Sequence, residues 1–312
     1  MAVSASQWLG VIEADYLAGF VPAGGAAMKF AIADPAEIAD VSAGLEALAG
    51  RHGLMWAPVD TDAVKLHMMQ DLFFAVSRQI DWPTLAQGFV EKQLDARAYD
   101  WPRPGQPATF QEVADVNDIA APILERDVKQ WLTAEIWNDP LLNQDFRAAL
   151  MRLCLNRFAD PPSTDDPILH WLTGELRRIS VLRGEDIFTK INRANARSML
   201  ASLTRWLAKA GVAGLVIRID LSHLALKGAE AAGGLKYSKA AVMDAYEVLR
   251  QLIDDIDHHE RLMVFAFGTP GLIDGHEDRV IGQYQALQMR IWNEVRPAGR
   301  DNPAAPLVWL TP

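Results

Sequence analysis

The chain of 312 residues carries 30 Lys and Arg against 40 Asp and Glu, a formal net charge of −10, and half of its residues are apolar. That is enough chain for one large domain or two modest ones with real cores, and the mix is that of a globular protein. The acidic balance argues against an isolated chain that grips a nucleic-acid backbone through its overall charge, and no apolar run is long enough to span a membrane.

The N-terminal Met-Ala-Val-Ser has neither the basic region nor the apolar core of an export signal, so the expected location is the cytoplasm. Residues 8–20 place Trp8, Ile12, Tyr16 and Phe20 at helical spacing. Gly24-Gly25 breaks that helix, and 28–32 reads as a strand. Residues 36–50 carry Ile38, Val41, Leu45 and Leu48 on one face, an amphipathic helix that stops at Gly50. A second strand follows over 54–59, then a helix over 64–80. Strands alternating with helices imply a parallel sheet with helices on its faces.

The pattern changes at Asp81. Up to about Lys190 the sequence holds helical stretches and no convincing strand, with proline clusters at 102–107 and 161–167. Cys154, the single cysteine, sits between leucines as a small buried apolar residue and excludes an internal disulfide framework. Alternation resumes with a helix over 192–210, a strand over 214–220, a helix capped by Ser238, a strand over 261–267, a helix over 284–294 and a strand over 306–310. The expected fold is therefore α/β. Five parallel strands are flanked by helices, in a core built from 1–80 and 191–312, with an all-helical insertion over 81–190.

In such a sheet, ligands bind at the carboxyl ends of the strands. A phosphate-binding loop after Ile32 would need glycines, a Lys and a Ser or Thr. The residues there are Ala33-Asp34-Pro35-Ala36-Glu37-Ile38-Ala39-Asp40, which supply none of these. Asp34, Glu37 and Asp40 would put carboxylates where phosphates belong. Asp220 closes an apolar strand and reads equally as a magnesium-holding carboxylate or as a turn cap; Leu221 stands where a catalytic carboxylate would follow. Arg218, inside that strand, calls for a carboxylate, a partner or solvent. Thr269, after the next strand, reads either as a contact to a γ-phosphate or as a turn residue. His258-His259 point in different directions from a helix end, and no other His or Cys cluster supports a metal site, so none is expected.

The ordered segments resemble the P-loop ATP-binding proteins of BREX-type phage defence, the BrxC/BrxD-like group of AAA+ type. The resemblance is carried by Trp8 to Phe20 with Gly24 to Ile32, by Met55 to Asp60 with Lys65 to His67, by Ala210 to Asp220, and by Phe267 to Pro270 with Tyr284 to Arg290. It implies an AAA+-like sheet in which 214–220 is the Walker B strand. The family's phosphate-loop Lys falls on Ala39 and its Ser/Thr on Asp40, so the Walker A loop is degenerate. Asp34, Ala39, Asp40, Asp220 and Thr269 would be a vestigial nucleotide site. The family's helical lid would begin near Pro312.

The resemblance implies a non-catalytic pseudo-ATPase subunit of an anti-phage complex, with no catalytic residue and no bound cofactor. It would work by protein–protein interaction beside an intact P-loop ATPase, to whose nucleotide Arg290, Arg296 or Arg300 could reach. Two alternatives stay open. One is an unorthodox ATP and magnesium site using Lys29 or Lys65 with Asp220. The other is a DNA-binding module through Arg177, Arg178, Arg183, Lys190, Arg193 and Arg197, with nucleic acid engaged only within the complex.

Overall fold

The computed structural model describes residues 3–159, 167–292 and 302–312. The strands are β1 (Val3–Ser4), β2 (Ala26–Ile32), β3 (Leu54–Asp60), β4 (Gly214–Asp220), β5 (Leu262–Gly268) and β6 (Leu307–Thr311). The α-helices in chain order are α1 (Ala5–Ile12), α2 (Pro35–Arg51), α3 (Met69–Ser77), α4 (Trp82–Asp95), α5 (Phe110–Val116), α6 (Ala121–Leu132), α7 (Gln144–Leu155), α8 (Pro167–Thr173), α9 (Ala196–Lys209), α10 (Lys239–Asp254), α11 (Gly271–Asp274) and α12 (Gln285–Ile291). Contacts divide the chain into two compact units, one of residues 1–76 with 212–312 and one of residues 77–211.

The first unit is a parallel sheet with strand order β1-β6-β2-β5-β4-β3. It has six strands where the sequence pattern predicts five. The extra strand, β1, is two residues long, too short to show a period-two signal. It exists because Val3 and Ser4 pair with Leu310 and Thr311, and Val3 is buried. The five long strands arise from largely apolar runs, and β5 is buried along its whole length. Pro58 is tolerated because β3 is an edge strand and needs a ladder N–H on one side only.

Helices α1 and α2 cover one face. Trp8 stands edge-on to Phe265 and Phe267, with centroids 5.6 and 6.0 Å away, and Ile38, Val41 and Leu45 join the same cluster. The residues alternating with these, Phe30, Ile32, Val264 and Ala266, are buried too, so both faces are covered. Lys29 belongs to the α1–α2 face. Its ammonium donates to the Ala304 carbonyl (2.5 Å) and lies 4.9 Å from the centre of the Tyr16 ring.

The second unit is helical. Asp81 caps α4 by accepting from the Thr84 N–H, and Thr109 with Glu112 forms a capping box at α5. Its core brings the Phe89 and Trp206 rings to 4.8 Å and buries Phe146, Leu150, Leu203 and Leu207. Helix α9 packs here, with Lys209 and Arg205 reaching Asp139 at 3.2 and 3.8 Å. Among the described residues, no helix is long and apolar enough to cross a membrane.

Candidate functional site

The carboxyl ends of β2, β5, β4 and β3 form one rim. The Ala33 N–H donates to the Gly268 carbonyl (3.0 Å), the Leu221 N–H to Phe267 (2.7 Å), and the Thr61 N–H to Asp220 (3.2 Å). The Thr61 hydroxyl also donates to the Asp220 carbonyl (2.8 Å). This rim is where an α/β sheet takes its ligand.

The connection from β2 to α2 consists of Ala33 and Asp34 alone. A phosphate loop of the GxxxxGK[ST] type spans about eight residues, so no such loop separates this strand from its helix. Asp34 occupies the N-cap position, exposed and without a side-chain capping bond, and Pro35 at the first helical position has no N–H to offer. Ala39 and Asp40 sit in the second turn of α2 on its exposed side. At about 1.5 Å per residue, Ala39 lies roughly 6 Å along the axis from the helix start. The register that the resemblance assigns to these two residues thus puts them on a helix surface.

Asp220 is held by its own neighbours. One carboxylate oxygen accepts the Ser222 N–H (2.8 Å), closing a tight turn at the end of β4, and the other lies 3.8 Å from Arg218. Arg218 makes its closer ion pair with Asp60 at the end of β3. The carboxylate that the Arg218 oddity called for is therefore Asp60, directly across the β3–β4 ladder from Asp220. Leu221, where the resemblance expects a catalytic carboxylate, is buried. Thr269 is half-buried; its carbonyl accepts the Leu272 N–H and starts α11. A Cβ at Gly268 would meet the Leu272 side chain at 2.3 Å, so leucine closes over the end of β5. Lys29 points into the α1–α2 face and Lys65 is exposed; neither side chain bonds to Asp220.

The arginine stretch before β6 is partly visible. Arg290 forks onto Asp254, with its Nη2 at 2.8 Å, and donates through Nη1 to the Ala286 carbonyl (2.5 Å). Asp254 also pairs with Arg250, which donates to Glu247 at 2.6 Å. The Arg250 fork holds the Glu247 carboxyl down to about 2, and Arg290 lowers that of Asp254. Met289 and Trp292 flank Arg290, exposed. Arg296 and Arg300 lie outside the described residues.

Sequence reasoning missed Arg279. It is buried, and its guanidinium donates to the carbonyls of Leu224 (3.2 Å) and Tyr237 (2.7 Å), while the Tyr246 hydroxyl donates to the Arg279 carbonyl. Arg279 thereby pins both ends of the loop that follows β4. Its sequence context, Glu277-Asp278-Arg279, reads as a surface run and gives no signal of this. His259 is buried and His258 exposed, so the pair does not converge; burial lowers the His259 pKa to about 4 and keeps its ring neutral. Burial likewise pushes the Cys154 thiol far above the reactive range.

No curated protein and no solved structure matches the chain. The profile of the family described as BREX system ATP-binding protein BrxC/D matches residues 111–312. That span includes Asp220, Thr269 and Arg290, whereas Asp34, Ala39 and Asp40 precede it. A match over about two thirds of the sequence, carrying the strand with Asp220 and the strand before Thr269, means that this chain belongs to the BrxC/D family of BREX phage-defence ATP-binding proteins.

Proposed function

We propose that the chain is a non-catalytic, AAA+-like subunit of a BREX defence complex that works through its surfaces rather than by hydrolysing ATP. The observation that carries this reading is the two-residue turn Ala33-Asp34 between β2 and α2. It supplies no backbone cradle for phosphates, and Asp34 and Glu37 bring negative charge to the helix start. The rest of the rim is consistent: Asp220 caps a turn beside Arg218, and Leu221 replaces a second carboxylate.

Isothermal titration of the protein with ATP and magnesium tests it. The expected result is no heat of binding. Micromolar affinity would overturn the reading in favour of an unorthodox nucleotide site.

The partner that fits is an intact P-loop ATPase of the same system. In an assembled ring, the stretch before β6 would face the neighbour's nucleotide, where an arginine stabilises transition-state charge. Of the three candidates, Arg290 starts from an ion pair with Asp254, so it must exchange that carboxylate for a phosphate. Alanine at Arg290, Arg296 and Arg300 in turn, assayed on the partner's turnover, should single out one of them. Unchanged turnover for all three removes this part of the proposal and leaves the pseudo-ATPase reading standing.

A further inference from the structure

The net charge of −10 is unevenly distributed. The unit of residues 1–76 and 212–312 holds 13 Lys and Arg against 22 Asp and Glu, a net −9, whereas residues 77–211 hold 17 against 18, a net −1. Within that near-neutral unit, residues 174–197 hold six basic side chains and three acidic ones. One of those acids, Glu185, is paired with Arg152 at 3.4 Å. The overall charge that argues against nucleic acid therefore belongs almost wholly to the other unit.

This segment links α8 to α9 and is built to hold still. Leu182, Ile187 and Ile191 are buried and anchor it. The Asp145 carboxylate, at the start of α7, accepts the N–H groups of Phe188 (3.4 Å) and Thr189 (3.2 Å). The Trp171 indole donates to the Thr189 carbonyl (2.9 Å), and the Lys190 ammonium donates to the Arg177 carbonyl (2.8 Å), drawing the two arms of the segment together. Asn192 and Asn195 both donate to the Lys190 carbonyl. What this framework presents outward is Arg177, Arg178, Arg183 and Arg193, all exposed and without an ion pair among the described residues, and a Phe188 ring that is 57% exposed. The backbone of Phe188 is fixed by Asp145 while the residue before it fills the core, so its ring faces water by construction.

We propose that this segment binds single-stranded nucleic acid, its four exposed arginines taking phosphates and Phe188 stacking on a base. Guanidinium groups match phosphate oxygens in fork geometry. An exposed aromatic ring among cations is the platform that unpaired bases use, and it needs a free π face, which duplex stacking denies. An acidic peptide would satisfy the arginines but leave the ring without a role. Because the loop is already ordered, binding costs little conformational entropy.

Fluorescence anisotropy of the full chain tests the proposal, with labelled single-stranded DNA and RNA of one sequence, about 20 bases long, and the matching duplex, at about 50 mM salt. Expected is preferential binding of a single strand, with log K falling against log salt at a slope of about −3 for four phosphates. Whether DNA or RNA binds tighter identifies the natural strand. The variant R177A/R178A/R183A/R193A should lose at least about tenfold in affinity and flatten the slope, and Phe188→Ala should lose about tenfold with the slope unchanged. The proposal is overturned by no binding of either strand, by tighter duplex binding, by unchanged affinity in both variants, or by polyglutamate binding as tightly as the oligonucleotides.

Discussion

The α/β unit and the segment before α9 in the helical unit handle arginine differently. Around the strand ends of the α/β unit, the cations are matched at short range: Arg218 with Asp60, Arg250 with Glu247 and Asp254, Arg290 with Asp254, and Lys227 with Asp278. In the helical unit, the segment before α9 exposes four arginines with no such partner among the described residues. A matched guanidinium has already spent its hydrogen bonds on the fold, and a ligand must compete for it. An unmatched one is solvated and available. A net charge averaged over the whole chain hides this, because the acidic excess sits almost wholly in the α/β unit.

The largest expected effect asks whether field or burial controls the acidic unit. Were its negative charge in command, His259 would be easier to protonate than a free histidine. Burial wins instead, Asp255 opposes it, and the pKa falls from 6.5 to about 4. The sign follows from linkage. Between those two values the unfolded chain holds a proton that the folded chain does not. Stability is therefore intact above about pH 6.5 and is lost as pH falls toward 4, by about 3 kcal/mol in total. Urea unfolding at pH 7, 6, 5 and 4.5 should show the loss, and His259→Gln should remove most of it. An imidazole NMR titration with a midpoint above 6.5 would reverse the ranking of burial over field.

Next comes Arg279, a buried arginine of the acidic unit whose hydrogen bonds go to backbone carbonyls rather than to a carboxylate. Arg279→Met keeps much of the volume but leaves the carbonyls of Leu224 and Tyr237 without their donor. The expected cost is about 2–3 kcal/mol, with faster amide exchange along residues 221–237. A shift below about 0.5 kcal/mol would mean that water replaces the guanidinium without loss.

These two residues also mark what could be read from sequence. The long strands were legible because runs such as Leu262 to Phe267 have few other structural uses. β1 was not, since two residues become a strand only through a partner at the far end of the chain. At the rim, Asp220 and Thr269 were legible from strand ends alone, and Arg218 was legible as an oddity. Its partner Asp60, 158 positions away, was not. Arg279 was invisible because its acceptors are carbonyls 55 and 42 positions earlier, and carbonyls carry no residue identity. Ala39 and Asp40 are assigned by the resemblance alone, and they lie on the exposed side of α2, beyond the two-residue connection Ala33-Asp34.

A smaller effect separates matched from unmatched cations directly. The Arg218 side chain is 15% exposed and that of its partner Asp60 49%. Water can take over Asp60 when the guanidinium goes, so Arg218→Ala should cost about 1 kcal/mol rather than the several that an enclosed pair would. Chemical denaturation of Arg218→Ala, Asp60→Asn and the double variant isolates the pair as a coupling energy. A coupling near zero would dissolve the contrast on the acidic side.

The smallest effect belongs to the other side of the contrast. Arg177, Arg178, Arg183 and Arg193 are exposed and lack ion pairs among the described residues, so removing them should leave stability nearly untouched. The R177A/R178A/R183A/R193A variant is expected within about 0.5 kcal/mol of the parent in urea, with an unchanged slope. The anchors predict the same: Leu182, Ile187, Ile191, Asp145, Trp171 and Lys190 hold the segment, and none of them relies on those four guanidinium groups. A loss of about 2 kcal/mol or more would show that these arginines serve the fold through contacts of their stems. Nucleic-acid affinity lost in the same variant would then report misfolding of the segment rather than missing phosphate contacts. Near-zero cost with strong loss of binding is the outcome that assigns them to a ligand.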